Sequence, residues 1–569
     1  MAVATAVARL GRRVQHTWDR YRPRGRQLFT PWTVATLIAV ALVLLPLVSI
    51  FVGVFAESSD TWDHLASTVL WDYLRNSALL VVGVGGLALV LGVATAWLVT
   101  TCEFPGRRVF GWALILPLSV PTYIMAYTYA ELMAHSGPIQ GALQTVLDPA
   151  TTAGLRSALM SLPGAGVMMA LVLYPYVYLI TRTSFLKQSG GILETSQILG
   201  KSPWSTFFRV ALPMARPGVV AGVTLVLMEV LNEYGAVTYF GVSTFTTGIF
   251  RAWFSLGDAP AAIRLSGCLL LFVFVLILLE RAQRGRARFD DGPRSHRPVV
   301  RFELEGWRRW AAFGTCALPV FFGFLLPVAQ LGSWAFQVAP EVLDRRFLVL
   351  AANSFGLAIV AALITVAVGL LIVYSVRLSP TPLLKLSARA SSLGYSIPGA
   401  VIAVGILVPF IWLDRQISGL LQATTGLSPG LILTGTVTAL IFAYVVRFLA
   451  VSLNPVESGF ERTCGSLDET SRSLGAPPLK TLVKVDIPLL RGTLISAGLL
   501  VFVDVLKELP LTLILRPFDF DTLATRAFQL AMDEQVARSA LPALLIIATG
   551  MLPVIGLSRL ISLIGRKRI

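Results

Sequence analysis

The sequence predicts an all-α membrane protein with twelve transmembrane helices, arranged as two parallel six-helix repeats. Three observations predict this fold. The chain of 569 residues is 55% hydrophobic and only 14% charged, far more apolar than a soluble domain. It contains many uncharged runs of the roughly 20 residues that a helix needs to cross a bilayer. A polar pattern between such runs also occurs twice, at a constant offset in the sequence.

Uncharged runs provide most of the predicted spans. They cover residues 32–56, 76–102, 109–130, 157–181, 310–340, 347–376, 390–413, 416–446 and 539–558. Three shorter or internally charged stretches complete the twelve: 217–237, 263–279 and 492–515. The run from Gln416 is too long for one span, so part of it must form an extracytoplasmic loop.

The net charge of +16 follows the predicted topology. Basic residues concentrate in 1–31, in 281–309 and at the C-terminus. With twelve spans, these three groups share one side of the membrane, which the positive-inside rule assigns to the cytoplasm. The chain is therefore expected in the inner membrane of a cell, with both termini in the cytoplasm. Topology and attraction to anionic lipid account for the basicity, so nucleic acid is not an expected partner.

The two halves repeat the same landmarks. Glu194, Thr195, Ser196, Gly200 and Pro213 recur at an offset of 275 as Glu469, Thr470, Ser471, Gly475 and Pro488. Two further pairs, Ser119 with Pro121 and Ser396 with Pro398, match at an offset of 277. We therefore predict a first half at 32–280 (core about 73–280, polar loop 187–215) and a second at 310–569 (core about 350–562, polar loop 452–490). A basic tail, 1–31, precedes them, and a mobile Arg-rich linker, 281–309, joins them.

Each polar loop is predicted to form two short helices joined by an elbow at the glycine. Glycine suits the left-handed position that ends a helix, and the prolines that follow (Pro203; Pro477 and Pro478) favour the first turn of the next one. The second helix is expected to stop at Pro213 or Pro488. A single copy would favour a solvated amphipathic loop. Two copies with every spacing kept favour a site that presents Glu194 and Glu469 to a partner.

Six polar residues lie within otherwise apolar spans. They are Glu229, Asn232 and Glu233 in one half and Asp504, Lys507 and Glu508 in the other. Ionised groups in a membrane usually face a cavity or each other. Spacings of three and four place each trio on one helix face. Two interpretations remain open: a lining of a translocation path or gate, and a buried ion-pair lock in which Lys507 pairs with an acid.

The tripeptide Gly200-Lys201-Ser202 resembles the end of a phosphate-binding loop, but the rest of that motif is missing. Thr195 stands where the motif requires its first glycine, and no strand is expected before it. Nucleotide binding by this chain is therefore not predicted, and no metal-ligand spacing is evident either.

The repeated pattern resembles the E-A-A-x-x-x-G-x(9)-I-x-L-P motif of ABC importer permeases. Both copies keep the Glu, Gly and Pro, with Thr-Ser in place of Ala-Ala and Val in place of Ile. The resemblance implies the type-1 importer fold and a transport subunit that is not an enzyme. It also implies that each loop is a coupling helix seated on a separate ATP-binding subunit dimer, which holds ATP and Mg²⁺, so this chain needs no cofactor of its own.

A single chain with both halves is similar to the fused permeases of the ferric iron and thiamine groups. The stretches 232–237, 244–258, 507–510 and 515–534 look most like the ferric iron permeases. The resemblance implies that a periplasmic binding protein delivers ferric iron to the outer loops near 239–262 and 516–538. Thiamine or another small solute is the alternative substrate.

Two other classes of function fit the sequence less well. A secondary transporter could use the intramembrane acids with an ion gradient, and a membrane scaffold would not transport at all. A secondary transporter has no reason to duplicate the polar loop, and the paired buried charges argue against a scaffold.

Overall fold

The computed structural model describes residues 30–134, 137–188, 196, 198–284, 301–425, 430–462 and 465–566, most of them helical. Among these residues, eleven helices are long and apolar enough to cross a membrane, and one helix pair bent by 90° makes a twelfth. The number agrees with the twelve predicted spans, six in each half.

The first half contains α1 (Pro31–Val54), α2 (Leu70–Thr101), the bent α3 (Arg107–Ser119 with Thr122–Leu132), α4 (Leu162–Lys187), α5 (Trp204–Asn232) and α6 (Ala259–Arg284). The second half contains α7 (Trp307–Val342), α8 (Arg345–Leu378), α9 (Gly399–Thr425), α10 (Val437–Arg462), α11 (Pro478–Lys507) and α12 (Val536–Arg566). Shorter helices lie between them: Asp60–Thr68, Pro138–Gln144, Pro149–Leu159, Gly235–Tyr239, Phe245–Phe250, Pro382–Ser391, Gly465–Ser473, Pro510–Leu515 and Leu523–Met532.

The predicted boundary between the spans 390–413 and 416–446 is wrong. Helix α9 continues through it to Thr425, and α10 begins only at Val437. The charged residues Asp414 and Arg415 separate the two uncharged runs, but the Asp414 side chain is 1% exposed within α9. Its carboxylate accepts backbone N–H groups from Ile432, Leu433 and Thr434 at 2.7–3.0 Å, which fixes the following loop. A buried carboxylate that accepts several hydrogen bonds is tolerated inside a helix.

The first helix of each half packs on the other half. Helix α1 lies against α9 and the short helix Pro382–Ser391. The Thr36 hydroxyl of α1 also donates to the Ser375 hydroxyl of α8 at 2.7 Å. Conversely, α7 contacts α3, where the Tyr129 hydroxyl donates to the Phe322 carbonyl at 2.6 Å. Each half therefore packs its first helix on the other half, and the halves cannot separate without unpacking these helices.

The end of the predicted linker is fixed to the first half. Strand β1 (Cys102–Glu103) follows α2 and pairs in parallel with β2 (Phe302–Glu303), just before α7. Glu103 also forms an ion pair with Arg107 at 2.9 Å. The linker was predicted as mobile throughout, and this pairing corrects that prediction for 301–303; residues 285–300 lie outside the described residues.

Candidate functional site

The two elbows, at Gly200 and Gly475, share one backbone structure. Gly200 and Gly475 have φ of 72° and 83°, in the left-handed region that favours glycine. The next N–H donates back to the carbonyl of Ser196 in the first copy and of Ser471 in the second, both at 3.1 Å. This is the Schellman arrangement that ends a helix. The predicted elbow is confirmed in both copies, although Glu194 and Thr195 lie outside the described residues.

A hydroxyl pair closes each elbow. The Ser196 and Thr206 hydroxyls are 2.9 Å apart, and the Ser471 and Thr481 hydroxyls are 3.0 Å apart. Thr206 and Thr481 were not among the predicted site residues. The constant offset of 275 could have found them, because it also relates these two threonines.

Both loops expose large apolar side chains. Ile198 and Leu199 are 85% and 71% exposed in the first loop, and Leu474 is 83% exposed in the second. Thr470, next to Glu469 on the helix Gly465–Ser473, is also exposed. Apolar side chains exposed among polar ones mark protein interaction sites. An exposed leucine therefore lies directly before the glycine of each elbow.

The prediction that the second helix of each loop stops at Pro213 or Pro488 is wrong. The helices pass through Pro213 and Pro488 into α5 and α11. A π-helical turn, Phe207–Ala211 or Leu482–Asp486, precedes each proline. Proline lacks an N–H and its ring clashes with the carbonyl four residues earlier, so a widened turn at that carbonyl lets the helix continue. Each elbow is thus joined rigidly to a spanning helix.

Among the described residues, only the second loop forms an ion pair with a spanning helix. Arg377 at the end of α8 pairs with Asp468 of the loop helix at 2.5 Å and donates to the Phe460 carbonyl at 2.9 Å. Asp486 at the start of α11 is 1% exposed and lies against Asp468. At an offset of 275, the first half has Leu193 and Ala211 instead of the two aspartates. The second loop helix is therefore connected to α8 and α11 through a charge cluster.

The intramembrane trios lie where α5 and α11 end. Glu229 and Asn232 occupy the last turn of α5, as Asp504 and Lys507 occupy the last turn of α11. The third member of each trio, Glu233 or Glu508, leaves the helix with extended backbone. Its carboxylate accepts an N–H three residues later, from Ala236 at 2.8 Å or Leu511 at 3.3 Å. The prediction that each trio shares one helix face is therefore wrong for Glu233 and Glu508.

The trios meet at the contact between the halves. Glu229 accepts the Tyr395 hydroxyl at 3.1 Å, and Asn232 accepts the Gly399 N–H at 2.7 Å. Lys507 pairs with Asp504 of its own helix at 2.8 Å, so this ion pair does not lock the halves together. Glu229, Asn232, Glu233, Lys507 and Glu508 line one cavity of about 80 Å³. The structure thus brings together five of the six predicted residues.

The two symmetry-related acids, Glu508 and Glu233, have different partners. Glu508 pairs with Arg447 at 3.2 Å, and Arg447 also donates to the Ile397 carbonyl at 2.9 Å. Glu233 forms no ion pair in the described part of the chain; it accepts the Thr122 hydroxyl and the Ala236 N–H. The difference in residue number between matching positions of the two halves decreases from 277 to 275 across this region. Arg447 therefore corresponds to one of the apolar residues 170–172. Sequence reasoning missed Arg447 because the predicted span ends at residue 446.

A larger cavity lies at the junction of the two predicted outer loops. Its volume is about 550 Å³, and both halves line it. Its polar residues include Arg516, Arg526 and Asp533 of the second half, while Tyr234, Phe250 and Phe254 come from the first. Arg516 also pairs with Asp521, and burial lowers the pKa of Arg516. Arg251 of the predicted outer loop near 239–262 and Asp519 of the loop near 516–538 are exposed.

Comparison with known proteins gives matches in both halves. Residues 20–288 match the family described as "binding-protein-dependent transport system inner membrane component". The chain is 25% identical to the Fe(3+)-transport system permease protein FbpB 2 of Haemophilus influenzae, over 91% of this chain and 96% of that one. It is 22% identical to the ferric transport system permease protein FbpB of Actinobacillus pleuropneumoniae, over 82% and 68%. The molybdenum transport system permease protein ModB of Haemophilus influenzae is 30% identical, over 34% of this chain and 82% of ModB.

Proposed function

Because the chain belongs to the family of binding-protein-dependent transport system inner membrane components, we propose that it imports ferric iron, driven by separate ATP-binding subunits. The observation that carries this proposal is the pair of elbows with one backbone structure, next to exposed apolar side chains. Two equivalent loops suit a dimeric motor, which presents one groove to each half. Both loops and both termini are then cytoplasmic.

Iron is favoured over other substrates by two observations. The relatives named for ferric transport align along most of both halves, whereas the molybdenum relative aligns with about a third of the chain. The cavity between the halves also presents carboxylates, which are hard oxygen ligands suited to small, highly charged cations. A periplasmic binding protein would release iron into the 550 Å³ outer cavity, and the ion would then pass to the polar cluster.

ATP hydrolysis is assigned to a partner and not to this chain. Gly200-Lys201-Ser202 lies on the loop elbow, where the preceding residues 198–200 form the end of a helix. A phosphate-binding loop follows a strand. In the described ranges the strands are Cys102–Glu103 and Phe302–Glu303, both distant in sequence from this tripeptide.

A transport assay tests the proposed function. We expect the chain, reconstituted in liposomes with its ATP-binding subunits, to hydrolyse ATP faster when an iron-loaded periplasmic binding protein is added outside. Iron should accumulate inside only when ATP is present in the compartment that holds the motor. The control is the same assay with a thiamine-loaded binding protein. Stimulation by the thiamine-loaded protein alone would contradict the assignment of iron, and uptake without ATP would indicate a secondary transporter.

A further inference from the structure

One buried hydroxyl next to the polar cluster has no hydrogen-bond partner in the described part of the chain. Tyr123, on the second limb of α3, is 3% exposed, and its hydroxyl is unpaired. Buried tyrosine hydroxyls usually find a partner. Tyr123 lines the same cavity as Glu233 and Glu508. An unpaired oxygen beside two carboxylates indicates a place for a ligand that binds oxygen atoms.

The charge balance of the cluster indicates that this ligand is a cation. The cluster contains four acids, of which Asp504 pairs with Lys507 and Glu508 pairs with Arg447. Glu229 and Glu233 form no ion pair within the described residues, where their polar contacts come from hydroxyl and amide groups. Charged groups inside a membrane are paired with opposite charge or face an ion path. Lys507 lies close enough to Glu229 to interact with it electrostatically, so Glu233 is the carboxylate that remains to be balanced by an occupant.

The side-chain oxygen atoms available to a cation come from the first half. At the offset of 277 that relates Ser119 to Ser396, Thr122 and Tyr123 correspond to Gly399 and Ala400, which lack side-chain oxygens. The halves approach closely at this point: a Cβ atom at Gly235 would lie 2.6 Å from the Tyr123 Cβ and 2.7 Å from the Leu509 Cδ2. The pseudo-symmetry of the bundle is therefore broken at its centre, with oxygen donors on one side and the Arg447 cation on the other.

We propose that Tyr123, Glu229 and Glu233 form a transit site for a trivalent, oxygen-seeking cation, placed on the first-half side of the path. This inference rests on the proposed function, in which the cation is ferric iron. Carboxylate and hydroxyl oxygens are hard ligands suited to such ions. Among the described residues, no three carboxylate, histidine or cysteine side chains enclose a metal ion. A site with two carboxylates and one hydroxyl suits transit, because a transported ion must also leave.

The test uses Tb³⁺ as a redox-inert trivalent probe, bound to the full-length purified chain in a phosphate-free detergent. Luminescence titration should show one saturable site, and Glu233→Gln or Tyr123→Phe should weaken it by at least about tenfold. The matched control is Tyr127→Phe. Tyr127 is on the same limb of α3 and also has a buried, unpaired hydroxyl, but it does not line the cavity. Gel filtration checks that each variant remains folded.

Equal Tb³⁺ affinity in wild type and in both site variants would overturn the transit site, even if the wild type imports iron. Equal losses in Tyr127→Phe and Tyr123→Phe would also overturn it, because the effect would not depend on the cavity. Failure of the wild type to import iron in liposomes would reject the proposed substrate. A tenfold loss of Tb³⁺ binding in Glu233→Gln would then still support a trivalent-cation site.

Discussion

Replacing Arg447 with methionine is expected to lower the free energy of unfolding by roughly 3–5 kcal/mol. Arg447 and Glu508 are 4% and 6% exposed and pair at 3.2 Å. Removing the guanidinium leaves Glu508 as a buried charge without its ion-pair partner and frees the Ile397 carbonyl. Denaturant unfolding of the purified chain in detergent would measure the change.

The double variant Arg447→Met with Glu508→Gln separates loss of packing from loss of charge balance. Because neither side chain is charged in the double variant, we expect it to recover most of the lost stability. Wild-type stability in the single variant Arg447→Met would contradict the assignment of this ion pair.

Replacing Arg377 with alanine is expected to reduce ATP-driven transport roughly 2- to 30-fold, while the motor remains bound and hydrolyses ATP. Arg377 is the contact through which the second loop helix meets α8, by way of Asp468. Without it, movement of the loop is passed less completely to the spanning helices. The ratio of iron imported to ATP hydrolysed in liposomes would measure the loss.

Arg389→Ala is the matched control for Arg377→Ala. Arg389 is an exposed arginine in the last turn of the short helix Pro382–Ser391, which follows α8. Its removal should leave the transport ratio at the wild-type value. Equal ratios in wild type and Arg377→Ala would mean that the charge cluster does not transmit movement.

The spans and the loop elbows could be predicted from the sequence because their causes are local. An uncharged run of about 20 residues has few stable places outside a membrane. A glycine followed by a proline ends one helix and starts another through their own backbone preferences. The polar trios could also be found, since charges in an apolar run are costly and therefore conspicuous.

The errors arise where tertiary contacts decide the outcome. The boundary between 390–413 and 416–446 is wrong because Asp414 is held inside the helix by three backbone donors at 432–434, in a segment that folds back onto it. Glu233 and Glu508 were placed on helix faces, since the sequence does not show that each carboxylate binds the start of the next short helix. Arg447 was missed because a charged residue at the end of an apolar run usually lies at the membrane–water interface. Its buried partner becomes visible only when α10 and α11 are packed together.

The central claim is that the two loops are equivalent docking sites for one dimeric motor. Its most direct test is the affinity of the purified ATP-binding subunits for the permease in nanodiscs, measured for wild type, Glu194→Arg, Glu469→Arg and the double variant. Since the two sites act together, losing one should weaken binding by roughly 10²–10⁴-fold, and losing both should abolish it. Glu305→Arg, at an exposed acid just before α7, should bind like wild type. Wild-type affinity in the double variant would contradict the claim.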